Sequence, residues 1–155
     1  MDPDRRLYSF HPRIVALMAG GMGLSLIAVF GVIWIRLPAD ARATFDWFQR
    51  LTLLAFFGAV LWILYRLATL RVTAYADHLR VRNVFKSYTV PWTEVSRLRF
   101  RSGDAWLQLF DADGNRLGIL AIQTAEGARA SRAAKELAAV ARDHGAGQAK
   151  PTPGT

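Results

Sequence analysis

Two long uncharged apolar runs precede a region in which apolar and polar residues alternate. Residues 14–35 carry no charge, and Ser25 is their one hydroxyl. At about 1.5 Å per helical residue this run reaches roughly 33 Å, enough to cross a hydrocarbon core of about 30 Å. Residues 51–65 form a second uncharged run, bounded by Arg50 and Arg66. It covers only about 22 Å as a helix. Snorkelling of the two arginines extends the usable stretch to residues 48–67. Leu37-Pro38-Ala39-Asp40 supplies a turn between the runs, and Trp34, Trp47, Trp62 and Tyr65 lie near their ends, where amphipathic rings settle. The pattern predicts a transmembrane hairpin over residues 14–69, with spans at 14–36 and 48–67 and a flanking tail over 1–13.

After Leu70 the period becomes two. Val72 and Ala74, Leu79 and Val81, and Leu98 and Phe100 each share a strand face, with Arg97, Arg99 and Arg101 opposite the last pair. Residues 106–110 and 116–122 continue the pattern. These are half-buried antiparallel strands. They are joined by turn chemistry at Ala76-Asp77, Ser102-Gly103-Asp104 and 111–115. Over 125–143, Ala130, Ala133, Ala134, Leu137, Ala138 and Ala141 fall on one helical stripe. Thr124 is the expected N-cap, Glu126 suits the positive helix end, and Gly145 terminates the helix. The predicted fold is α+β: two transmembrane helices, then a small antiparallel barrel or sandwich of about six or seven strands over 70–143, closed by a C-terminal helix. Residues 144–155 are expected to be a disordered tail.

Composition narrows the chemistry. The 155 residues include no cysteine, which excludes disulfides, thiolate nucleophiles and Cys-based metal sites. The net charge of +8 is spread along the chain. An anionic lipid leaflet is the natural neighbour of a basic membrane protein. Nucleic acid fits poorly, because no long basic stretch or recognition motif is present. Arg5, Arg6 and Arg13 before the first run, with Arg66, Arg71, Arg80 and Arg82 after the second, outweigh Arg36, Arg42 and Arg50 between them. The positive-inside rule therefore places both termini in the cytoplasm of a multi-pass inner-membrane protein. The rival is a secretory signal cleaved at Ala39-Asp40-Ala41, and the first run is too long for that. Small residues four apart, as in Ala16/Gly20, Ala19/Gly23, Gly21/Ser25 and Ala55/Ala59, fit hairpin packing or homo-oligomerisation; they equally fit ordinary enrichment in spanning helices.

The order of these segments resembles a known family. Leu70-Arg71-Val72-Thr73, a strand around Leu79-Arg80-Val81, the segment Val90-Pro91-Trp92-Thr93-Glu94-Val95, a meander and a final helix look like the bacterial pleckstrin-homology-like (PH-like) domains. The layout is similar to the actinobacterial low-molecular-weight protein antigen 6 PH domain family, which has two N-terminal spans before one such domain. The resemblance implies a PH-like fold through about residue 143, carried most by Pro91, Trp92 and Glu94. It implies no reaction and no cofactor.

No catalytic set assembles from the sequence. Asp111, Asp113 and Asn115 mimic the start of a calcium loop, but Arg116 and Ile122 stand where such a loop needs Gly and Glu. A hairpin turn is expected instead. His11, His78 and His144 have no ligand spacing, no serine sits in a nucleophile-elbow context, and Glu94 has a structural role as its simplest reading. The best binding candidate is an arginine row of Arg80, Arg82, Arg97, Arg99 and Arg101. If their strands adjoin, they form one basic face for anionic headgroups or for an unidentified membrane or cytoplasmic protein; otherwise the row is a solvated outer face paired with carboxylates such as Glu94 or Asp104. The expected function is a non-enzymatic membrane protein that presents a cytoplasmic PH-like interaction domain to a protein or to the lipid surface. Specific anionic-lipid binding is the alternative, and a small membrane enzyme the remotest reading.

Overall fold

A computed structural model describes residues 5–147. Its first element is one the periodicity did not give. Residues 6–10, assigned above to a flanking tail, form strand β1 (Arg6–Phe10), which runs directly into helix α1 (Arg13–Arg36). A short helix α2 (Ala39–Thr44) fills the turn, and helix α3 (Trp47–Ala68) returns. Strand β2 (Arg71–Tyr75) follows at once and pairs antiparallel with β1, with Ser9 opposite Thr73 and Phe10 opposite Val72. The hairpin is thus an insertion between two neighbouring strands of one sheet.

α1 and α3 are each long and apolar enough to cross a membrane. The rest of the protein leaves their sides uncovered: Leu17, Met18, Leu24, Val32 and Phe56 are all more than half exposed. The helices pack on each other along one seam. Ala19 and Gly23 are buried there, and a Cβ at Gly23 would meet Leu61 and Leu64 at 3.8 Å. Phe30 and Phe57 extend the seam, their ring centroids 4.2 Å apart. Ala19/Gly23 is therefore the small-residue pair the hairpin uses, whereas Gly20, Gly21, Gly31 and Gly58 have nothing within 4 Å of a Cβ. The sequence Asp46-x-x-Gln49 starts α3 with a reciprocal capping box.

The body beneath the hairpin has two antiparallel sheets. β1 and β2 continue into β3 (His78–Arg82) and β4 (Ser87–Pro91), in the order β1-β2-β3-β4. A 3-10 turn at Trp92–Glu94 leads to β5 (Val95–Arg99), β6 (Trp106–Asp111) and β7 (Arg116–Gln123), the second sheet. Val72, Leu79, Val81, Val95, Leu107 and Ile119 point inward and are essentially fully buried, as the period-two pattern requires. Ile122, three residues from Ile119, is buried as well, where the β6–β7 register shifts. Helix α4 (Ala128–Asp143) closes the body by burying Ala130, Ala133, Ala134, Leu137 and Ala141. The Asp111/Asp113/Asn115 triplet forms the hairpin turn expected of it. The Asp111 carboxylate accepts from Asp113 N, Asn115 N and the Asn115 amide, which holds its pKa below the ordinary 3.8. Gly114 supplies the positive φ that the turn needs.

The sequence reading is corrected at both ends of α4. Thr124 is not its N-cap. Residues Thr124–Glu126 form a separate 3-10 turn, in which the Thr124 hydroxyl donates to the Asp104 and Ala105 carbonyls. Gly127, at φ +57°, breaks the path and is the actual cap residue. At the other end, residues 144–147 are part of the fold: Ala146 N bonds Ala141 O and Gly147 N bonds Val95 O. The remainder of the expected tail, from 148, lies outside the described residues, as do residues 1–4.

Candidate functional site

The hairpin and the body are tied together by side chains from distant parts of the sequence. The first turn of α1 has no acidic residue, and its N-cap, Pro12, offers no side-chain acceptor. The role falls to Glu126, whose Oε1 accepts from Ile14 N at 2.7 Å and Val15 N at 3.3 Å. Glu126 is 3% exposed, and its second oxygen accepts from Arg129 Nη1 at 2.7 Å. A buried carboxylate on exposed amides at the positive end of a helix is a charge-assisted cap. Here it is supplied by the C-terminal part of the body. Arg129 also lies over the Phe10 ring at 5.5 Å, so β1, α1 and α4 meet at one point.

Three more ties surround the same base. His11 Nδ1 lies 2.8 Å from Leu70 O, joining the residue before α1 to the residue before β2. Burial and the neighbouring Glu136 carboxylate push the Tyr8 phenol well above its ordinary pKa, where β1 packs against α4. Arg66, in the last turn of α3, donates to the carbonyls of Val84 and Asn83 and so grips the β3–β4 turn. Asn83 in turn donates to Gly118 O and accepts from Leu120 N, bridging to the second sheet. None of these roles carries a local sequence signal, because each joins residues 17 or more positions apart.

The arginine row does not form as a single face. β3 lies in the first sheet and β5 in the second, so Arg80 and Arg82 are separated from Arg97, Arg99 and Arg101. On the second sheet the charges are largely engaged. Arg99 Nη2 lies 3.3 Å from Asp104 Oδ1 and 3.1 Å from Gln108 Oε1. Arg97 sits 4.5 Å over the Phe110 ring. Arg101 follows β5 and is exposed.

Arg80 and Arg82 instead join arginines that were not grouped with them. Arg71 on β2 stands directly opposite Arg82, and Thr73 opposite Arg80. With Arg6 from β1 and Arg66 from α3 they line a shallow depression of about 450 Å³ on the outer face of the first sheet. Ser87, opposite Arg82 on β4, borders it. The ion pairs among the described residues are His78–Asp77, Arg99–Asp104 and Arg129–Glu126, and none involves these five arginines.

The residues of the family-like segment are structural. Trp92 is 1% exposed in the centre of the core, and its Nε1 donates to Tyr75 O at 2.9 Å. Pro91 ends β4, and Glu94 is exposed and forms no ion pair among the described residues. No group of three or more His, Cys, Asp or Glu side chains able to hold a metal ion occurs among the described residues.

Comparison with protein families agrees with the fold. Residues 69–140 match the family described as Bacterial PH domain. This stretch is a bacterial PH-like domain, running from the start of β2 into α4. The match begins after the hairpin and leaves out β1, which this chain supplies from the other side of its apolar insertion. Searches of curated proteins and of solved structures give no match.

Proposed function

We propose that this protein is a non-enzymatic, multi-pass membrane protein whose hairpin crosses the inner membrane and holds a PH-like interaction domain on the cytoplasmic face. The observation that carries this reading is how the hairpin is rooted. α1 and α3 emerge from adjacent strands, β1 and β2, of one sheet. Glu126, His11 and Arg66 then fix both helix bases to the body. A domain tied in this way has no linker on which to leave the surface. It presents the same face to the membrane continuously and serves as a fixed platform for a partner at the lipid boundary.

Orientation is testable with reporters fused separately to each end. Both termini are expected to report from the cytoplasm, following the excess of arginine on the flanks of the hairpin. A C-terminal reporter active outside the cytoplasm overturns the assignment.

A further inference from the structure

We propose that the five-arginine depression seats the phosphate of an anionic phospholipid taken from the surrounding leaflet. This rests on the membrane reading above and names the ligand of the surface that it presents. Three observations support it.

The first is electrostatic. Arg71 and Arg82 stand directly opposite each other on neighbouring strands, and like charges in that register repel. Arg6, Arg66 and Arg80 add to the same depression, and no carboxylate among the described residues pairs with any of the five. A bound phosphate would convert that repulsion into charge-assisted hydrogen bonds, for which the guanidinium fork is well shaped.

The second is position. Arg66 lies in the last turn of α3, and Arg71 opens β2 three residues after that helix ends. Arg82 and then Ser87 continue the row across the sheet at the same level. This end of the sheet is where the chain leaves the hydrocarbon, so the row stands in the headgroup layer. Arg80 lies two residues further out, about 7 Å, and Arg6, opposite Tyr75, about 13 Å out at the far end of the depression.

The third is an apolar shelf beside the cations. Phe85, in the β3–β4 turn, is 72% exposed, and its ring lies 6.2 Å from that of Trp62 on α3. Trp62 is itself half exposed, with the Arg66 guanidinium 5.9 Å from its ring. An aromatic pair on the lipid-facing side of a spanning helix belongs at the interface. Together with the arginines it makes a two-part surface, apolar toward the bilayer and cationic away from it. A phospholipid matches both parts, whereas a free phosphate or an acidic peptide matches only one.

The test uses the full-length chain in nanodiscs of phosphatidylcholine containing phosphatidylglycerol, followed by native mass spectrometry of the lipid retained after extraction. Retention of phosphatidylglycerol over phosphatidylcholine is expected. Arg80→Gln with Arg82→Gln should weaken retention about thirty-fold, since each arginine near an anionic surface is worth a factor of about five. Arg101→Gln with Arg142→Gln, exposed cations elsewhere on the body, should leave it unchanged. Because the chain has no cysteine, Phe85→Cys gives a unique site for a polarity-sensitive dye. Its emission should be quenched by nitroxide placed at headgroup depth. Equal retention of both lipids, equal loss in the two double variants, an unquenched dye, or displacement of the lipid by inorganic phosphate or an acidic peptide would each overturn the proposal. Failure with both reporters still cytoplasmic would sink the lipid site alone. A C-terminal reporter outside would sink the membrane reading beneath it.

Discussion

Replacing Trp92 by alanine is expected to cost about 3–5 kcal/mol of folding stability, a large share of the roughly 5–15 kcal/mol available to a domain. Trp92 follows β4 in a 3-10 turn at the corner where the chain passes from one sheet to the other. It is 1% exposed, and its indole N–H satisfies the Tyr75 carbonyl at the end of β2. Truncation leaves a cavity and removes the partner of a carbonyl. Trp92→Phe keeps most of the volume but gives up part of the indole and its hydrogen bond, for which a smaller loss of about 1–3 kcal/mol is expected. Denaturant unfolding of the detergent-solubilised full-length chain measures both. A loss under 1 kcal/mol for Trp92→Ala would show that the two sheets do not depend on this side chain.

The second large effect is expected at Glu126. Glu126→Ala removes the acceptor for Ile14 N and Val15 N and the ion-pair partner of Arg129. Hydrogen bonds to a charged group contribute about 1.5–3 kcal/mol, and the alanine loss should fall in that range. Glu126→Gln retains an acceptor oxygen without the charge and should cost less. The effect should also be local. Hydrogen exchange at Ile14 and Val15 is expected to accelerate in Glu126→Ala, while amides in β6 and β7 stay protected. Uniform acceleration across the body would mean that Glu126 supports the core in general and does not cap α1.

The hairpin was the most legible part of the sequence, because its signal is length in one continuous run. Spans expected at 14–36 and 48–67 became α1 at Arg13–Arg36 and α3 at Trp47–Ala68. Five of the six strands after residue 70 were legible for a similar reason: inward residues such as Leu79 and Val81 repeat at the strand period, whereas β4, whose residues are exposed or half-buried, shows no such signal. β1 was not legible. A register shift between Arg6 and Tyr8 breaks its alternation, and its partner lies beyond the whole hairpin. Glu126 was read as serving its own helix, since sequence shows charge near a helix start without showing which helix. The arginine row failed in the same way. Periodicity correctly placed Arg80 with Arg82 and Arg97 with Arg99, but which strands adjoin is a property of the fold. Arg6, Arg66 and Arg71 therefore came to the depression from segments that the period had kept apart.

Residues before the first apolar helix and after the second meet in one sheet. This pairing is tested by placing Ser9→Cys and Thr73→Cys in this cysteine-free chain within intact membranes. The two native hydroxyls lie 3.4 Å apart across the β1–β2 pair. Oxidation, or a short bis-thiol reagent, is expected to close a covalent loop around both helices, seen as a mobility shift reversed by reduction or by cleavage within the loop. Two cysteines that stay uncrosslinked and react with impermeant reagents from opposite sides of the membrane would contradict the account.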